Sequence, residues 1–273
     1  MPFARVGGID INYQEQGSGP RVLVVAHGLL GSVRFSDAFG LKAAALADRG
    51  LRVIAYDARG HGLSGFFRAN EDYDQAALAG ELVGLLDALG LARVSVCGTS
   101  MGATSALLVA RDHPDRVDRL VLRSPAPFGA DMIPARRALH ALAWSYQVVG
   151  IPLTARLAAL RPAPGRASRM HALLGEQRRA AILPAIRGFL AEPLAVDRLD
   201  TIEAPALVLT QPGDRLHPLR SGEILQARLP RAELRVAPTT RFWDEHPDET
   251  ADLIAAFVGP RGRVNLPRGA GIS

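Results

Sequence analysis

The chain has 273 residues, 48% of them hydrophobic, which suits one large α/β domain or a domain with an insertion and excludes a disordered chain. Its net charge of +5 rests almost wholly on arginine, with Lys42 the only lysine, and no helix-turn-helix or base-stacking signature accompanies it, so no nucleic-acid partner is read from it. One cysteine, Cys97, rules out an internal disulfide, no apolar run is long enough for a membrane span, and no signal-peptide core opens the chain, so the expectation is a cytoplasmic protein with no membrane partner.

Residues 3–6 and 9–14 read as two short strands around the turn signal Gly7-Gly8. Residues 21–26 form a continuous apolar run, as in a strand buried on both faces. A helix over 43–49 stops at Gly50, a strand covers 52–56, and a helix over 74–89 stops at Gly90. The strand at 93–97 leads into Gly98-Thr99-Ser100-Met101-Gly102 and then an apolar helix that runs out near His113-Pro114. A strand follows at 117–122. Alternation of strand and helix predicts a parallel sheet with helices on both faces.

The rhythm breaks after Ser124. Residues 127–195 hold helix-like pieces between Pro134, Gly150-Ile151-Pro152, Pro162-Ala163-Pro164-Gly165 and Pro184, and no convincing strand. Alternation resumes with a strand at 206–210, a helix at 221–229, a strand at 233–236 and a helix at 248–258. This pattern divides the chain into a core of 1–126 and 196–259, an all-helical cap or lid of 127–195, and a flexible tail of 260–273. Between Pro127 and Pro193 nine arginines face three acidic residues, a local charge of +6 that leaves the rest of the chain near neutral.

The sequence around Ser100 carries the chemistry. Strand, G-x-S-x-G, helix is the context of a nucleophile elbow. Two glycines suit a turn with no room for a Cβ, and the helix that follows turns its N–H groups towards a developing oxyanion. A glycine-rich turn with an incidental serine is the alternative. Three further turns stand at strand ends: His27-Gly28-Leu29-Leu30-Gly31-Ser32, Asp57-Ala58-Arg59-Gly60-His61-Gly62-Leu63-Ser64, and Gly213-Asp214-Arg215-Leu216-His217-Pro218.

With these four motifs in this order, nearly the whole chain resembles the α/β-hydrolase fold superfamily, in its serine-hydrolase form with a helical cap. The resemblance implies an eight-stranded, mostly parallel sheet flanked by helices. It implies Ser100 as nucleophile, the N–H groups of Leu29 and Met101 as the oxyanion hole, and Asp214 as the acid that orients a base. His27 is expected to bond loop backbone. Asp57, Arg59 and His61 are expected to form a buried polar network under the site.

The chain departs from the family at the catalytic histidine. The family places it on the loop after the last strand, shortly before a Glu-x-Pro helix start. Here that start is Glu245-His246-Pro247, and the loop before it, 237–244, has no histidine. Counting back from Pro247 the position falls on Thr240, and counting forward from Pro238 it falls on Phe242, so the loop is also short. A serine hydroxyl is a weak nucleophile unless a base takes its proton. Three readings stay open: a relocated base, with His217 first and His246 second; a binding, lyase or cyclisation role that needs no acyl-enzyme; or an engineered chain from which the base has been removed.

The expected substrate is a small or medium-sized apolar ester, thioester or lactone. Trp144 and Tyr146 in the cap are candidate pocket residues, and the cap's charge is suited to an anionic substrate. No metal-ligand cluster and no dinucleotide fingerprint occur in the sequence, so neither metal nor cofactor is expected. Ser100 speaks against epoxide and haloalkane hydrolysis, which need a carboxylate at the elbow.

Overall fold

A computed structural model describes residues 2–34, 41–128, 132–149, 179–191 and 198–259. Strands β1 (Phe3–Val6) and β2 (Ile9–Gln16) form an antiparallel hairpin. Its turn residues Gly7 and Gly8 have φ of 55° and 88°, the left-handed pair that a two-residue turn of this twist demands. Strands β3 (Arg21–Ala26), β4 (Leu51–Tyr56), β5 (Val94–Thr99), β6 (Val117–Arg123), β7 (Ala206–Thr210) and β8 (Ala232–Val236) pair in parallel, with β2 antiparallel on β4. The eight strands lie in the order β1-β2-β4-β3-β5-β6-β7-β8. The chain winds one way from β3 to β4 and the other way from β5 onward. The loops after β3 and β5 therefore diverge and leave a crevice at the carboxyl edge of the sheet.

Side-chain alternation sorts the core into two layers. Val24, Val96, Leu120, Leu122 and Val208 point to one face, beneath helices α2 (Gln75–Ala88) and α3 (Met101–Asp112). Leu23, Val25, Cys97, Val121, Leu207 and Leu209 point to the other, which also holds buried residues of α1 (Ala43–Ala47) and of the C-terminal helix. Cys97 is fully buried among them, and burial pushes its thiol pKa up to about 12, so it packs as a small apolar side chain.

The element boundaries differ from the expected ones by a residue or two. Asp74 is the N-cap of α2, its carboxylate accepting the Ala77 N–H at 2.6 Å, and Gly90 (φ 65°) ends the helix in the left-handed region. Between β6 and β7 stand α4 (Met132–Val149) and α5 (Arg179–Phe189), packed on each other, and none of the described residues there is strand. Much of the expected cap and all of the expected tail lie outside the described residues. Past β7 come α6 (Leu219–Arg228), a short α7 (Phe242–Glu245) that the sequence reading had as loop, and α8 (Pro247–Val258).

Asp74→Ala should lower unfolding stability by about 1 kcal/mol, the usual cost of an N-cap carboxylate, without moving the site. Urea unfolding midpoints of the two proteins measure it.

Candidate active site

The elbow is built from two close backbone approaches. A Cβ on Gly98 would sit 2.3 Å from the Gly102 carbonyl oxygen, and one on Gly102 would sit 2.2 Å from that of Ala26. Both glycines are therefore steric requirements, and they let α3 start immediately after β5 and tuck against the end of β3. Ser100 is forced to φ 51°, ψ −110°, a conformation rare for a residue with a side chain. Its N–H donates to the Arg123 carbonyl (3.1 Å), and its own carbonyl accepts the Thr104 N–H (3.1 Å) as the first bond of α3. Across the crevice, Gly28 lies so near that a Cβ there would touch the Ser100 Cβ at 3.4 Å. Leu29 thus follows a residue in contact with the elbow. Met101 opens α3, where an N–H has no acceptor within the helix.

His217, 117 positions along the chain, lies beside Ser100: its Nε2 is 3.0 Å from the Ser100 Oγ. The Nδ1 of the same ring is 3.0 Å from Asp214 Oδ2. Asp214 also receives the Gln211 side-chain amide on Oδ2 (2.9 Å) and the N–H groups of Leu216 (2.9 Å) and His217 (3.1 Å) on Oδ1. Burial by itself would raise the carboxyl pKa. The His217 ring, the Leu216 N–H and the Gln211 amide outweigh it and bring Asp214 down to about 2. One carboxylate thus orders the turn through Oδ1 and holds the imidazole through Oδ2. A three-residue spacing is enough because Asp214 and His217 belong to a single turn.

The segment where the family histidine would stand does other work. Thr240 donates its hydroxyl to the Pro212 carbonyl at 2.7 Å, next to the Asp214 turn. Trp243 Nε1 donates to the Thr210 carbonyl at 2.9 Å, and Asp244 pairs with the buried Arg123 guanidinium. Phe242 stacks on the ring of His246, whose Nδ1 meets Glu249 at 3.0 Å, so His246 is engaged at the surface. Two residues that the sequence did not single out join the site. Gln211 bridges Asp214 and Ser124, whose Oγ is 3.0 Å from the Gln211 amide nitrogen. Nothing in their local sequence marks them, because the bridge spans two strand ends.

Beneath the crevice lies a dense polar floor. Asp57 accepts Val33 N–H (2.7 Å), Leu63 N–H (2.9 Å) and the Asn12 amide (2.7 Å). Gly62, whose Cβ would fall 2.3 Å from that carboxylate, makes the approach possible. Arg59 pairs with the buried Glu81 at 2.8 Å. His27 takes the Ala58 N–H on Nε2 (2.9 Å) and bonds the Gly28 carbonyl through Nδ1 (2.7 Å). His61 bonds the Arg59 carbonyl through Nδ1 (2.8 Å). Burial holds both imidazoles below the usual histidine range, and His61 falls to about 3. Of the two cap candidates, Trp144 stands on α4 with 64% of its surface exposed, so the described residues do not enclose it in a pocket. The Tyr146 side chain lies outside the described residues. Among the described residues no cluster suited to a metal ion occurs, and no helix is long and apolar enough to cross a membrane.

A family model for the α/β-hydrolase fold matches residues 21–169. A putative carbamate hydrolase, RutD, of Caulobacter sp. strain K31 is 32% identical over 252 residues, covering 88% of this chain and 90% of that protein. A 2-hydroxy-6-oxononadienedioate/2-hydroxy-6-oxononatrienedioate hydrolase of Burkholderia vietnamiensis strain G4 is 28% identical over 268 residues, covering 92% and 91%. In three dimensions the enol-lactonase of Burkholderia xenovorans LB400 matches with a TM-score of 0.80 at 23% identity, over 94% of this chain and 99% of that one. The chain belongs to the α/β-hydrolase fold family, and it is an enzyme of the hydrolase class.

Gly102→Ala should prevent the elbow from closing, because the intruding Cβ meets backbone that cannot move aside. Loss of folded protein, or of ester turnover in any folded fraction, is the expected outcome. A second expectation concerns acid. His27 and His61 stay neutral in the fold below the 6.5 of a free imidazole, so the unfolded chain binds more protons there. Stability is then full above pH 6.5 and is lost as the pH falls, towards 3 in the case of His61, where the slope reaches up to about 1.4 kcal/mol per pH unit. His61→Asn, which keeps a donor for the Arg59 carbonyl, should flatten that slope in urea unfolding measured from pH 6.5 to 4.

Proposed function

We propose that the protein is a serine hydrolase that cleaves small or medium-sized apolar carboxylic esters, thioesters or lactones through an acyl-enzyme on Ser100. The observation that carries this reading is the run of two 3.0 Å contacts from Ser100 Oγ through the His217 ring to Asp214. With Nδ1–H donating a hydrogen bond to Asp214, Nε2 is left free to accept the Ser100 proton as Oγ attacks the acyl carbon. The N–H groups of Met101 and Leu29 receive the oxyanion, the first aided by the N-terminus of α3. The imidazolium then protonates the departing alcohol or thiol. A water molecule, activated by the same ring, releases the acid and restores Ser100. Asp214 stays an anion throughout the working pH range, since its pKa is about 2. In this reading α4 and α5, the described helices between β6 and β7, belong to a cap over the crevice. The relatives' names, a carbamate hydrolase and a dienedioate hydrolase, agree with acyl or related cleavage at such a site.

The test pairs labelling by a fluorophosphonate probe with hydrolysis of p-nitrophenyl esters. Wild type should label and Ser100→Ala should not. His217→Ala should lower kcat/KM by about 10⁴–10⁶-fold, the usual cost of losing a triad base, while Thr240→Ala should lose less than about 10-fold. Slow wild-type turnover that His217→Ala leaves unchanged would overturn the proposal in favour of a protein without a working base.

A further inference from the structure

Among the described residues six large apolar side chains stand exposed: Phe3, Leu63, Ile133, Trp144, Leu216 and Val236. Five of the six stand at or after the carboxyl end of a parallel strand. Strands β4 to β8 and β3 run parallel, so their carboxyl ends share one edge of the sheet, the edge that carries Ser100. Leu63 follows β4, Ile133 and Trp144 lie on α4 after β6, Leu216 follows β7, and Val236 is the last residue of β8. Phe3, on the β1 hairpin, is the exception.

Helix α4 shows the chemistry of this edge. It packs inward through Ala143, which is buried, and Leu139, which is partly buried. Ile133, Arg137, His140 and Trp144 follow at intervals of four, three and four residues, which sets all four on one exposed stripe. Arg136 beside them is exposed as well. The eighteen residues of α4 include two arginines, one histidine and no acidic residue. Exposed tryptophan and isoleucine among arginines with no carboxylate is the composition that rests at the headgroup level of an anionic bilayer. Two copies of this stripe would bring arginine against arginine, which disfavours self-association as the reason for its exposure.

We propose that the catalytic edge, with α4 as its contact helix, docks on anionic lipid surfaces, and that the acyl substrates of Ser100 are amphiphiles taken from such a surface. The second half of this rests on the hydrolase reading above, whereas the docking does not. It is peripheral contact with a surface that the sequence reading did not expect as a partner, and it needs no spanning helix.

The two tryptophans make the test direct, because Trp243 is buried and Trp144 is exposed. Full-length protein is titrated with vesicles of phosphatidylglycerol or of phosphatidylcholine while emission is followed. Expected is a blue shift with phosphatidylglycerol only, absent in Trp144→Phe and reversed by 0.5 M salt. The double variant R136E/R137E should weaken binding by at least about 30-fold, from roughly 1 kcal/mol for each basic residue near the surface. That variant should still label with the fluorophosphonate probe, which separates failure of docking from failure of the serine chemistry. No binding to phosphatidylglycerol vesicles, or equal and salt-insensitive binding to both lipids, would overturn the proposal. So would a concentration-dependent dimer that shifts Trp144 emission without lipid. Given docking, a medium-chain ester partitioned into phosphatidylglycerol vesicles should be hydrolysed faster than in phosphatidylcholine, and equal rates would remove the substrate half.

Discussion

The site depends on one close approach of backbone to backbone. Gly102 lies against the Ala26 carbonyl, and no side chain fits between them. That contact fixes the start of α3 against the end of β3, and everything at the crevice follows from it. Ser100 is held at the tip in its unfavourable conformation, α3 begins at the next residue, and the Gly28 turn is in touch with the elbow. The strain, of order 1–3 kcal/mol for such a conformation, is borne by the packed strands on either side. Their apolar side chains fill both layers of the core.

The second constraint is the compact acid–imidazole turn after β7. In this chain Asp214 supplies both the turn's internal hydrogen bonds and the partner of the His217 ring. Thr240, Trp243 and Asp244 after β8 grip the ends of β6 and β7 and the Pro212 carbonyl. Those bonds brace the turn from the side where the family keeps its histidine. A short loop suits bracing better than it suits carrying a base, because fewer free residues leave less conformational entropy to lose on ordering.

The floor under the crevice shows the cost of building polar turns in a dry place. Glu81 is fully buried, and burial pushes its carboxyl up against the pull of Arg59. Unpaired, such a group would destabilise the fold strongly. Paired with the guanidinium and with the Arg59 N–H, it orders the loop that carries Asp57 and His61. His27 acts the same way one layer higher, since its neutral ring ties the Ala58 N–H to the Gly28 carbonyl of the turn facing Ser100.

The sequence by itself determined whatever depends on neighbours in the chain. Apolar β-branched runs made strands, Gly50 and Gly90 ended helices, and the pair Gly98 and Gly102 announced a turn too tight for side chains. Those signals are local because torsion angles and side-chain alternation are local. The order of four strand-end motifs then fixed the fold. The sequence also showed that the usual loop lacks a histidine, and it ranked His217 ahead of His246 as a relocated base without placing either beside Ser100. Only the tertiary structure decided between them as neighbours of Ser100, setting one at 3.0 Å and leaving the other on Phe242 and Glu249. It alone brought in Gln211 and Ser124, and it left Trp144, a candidate pocket residue, mostly exposed. The reason is the same in each case. Contacts between residues a hundred positions apart are set by the twist and register of the whole sheet, and no short stretch of sequence carries that information.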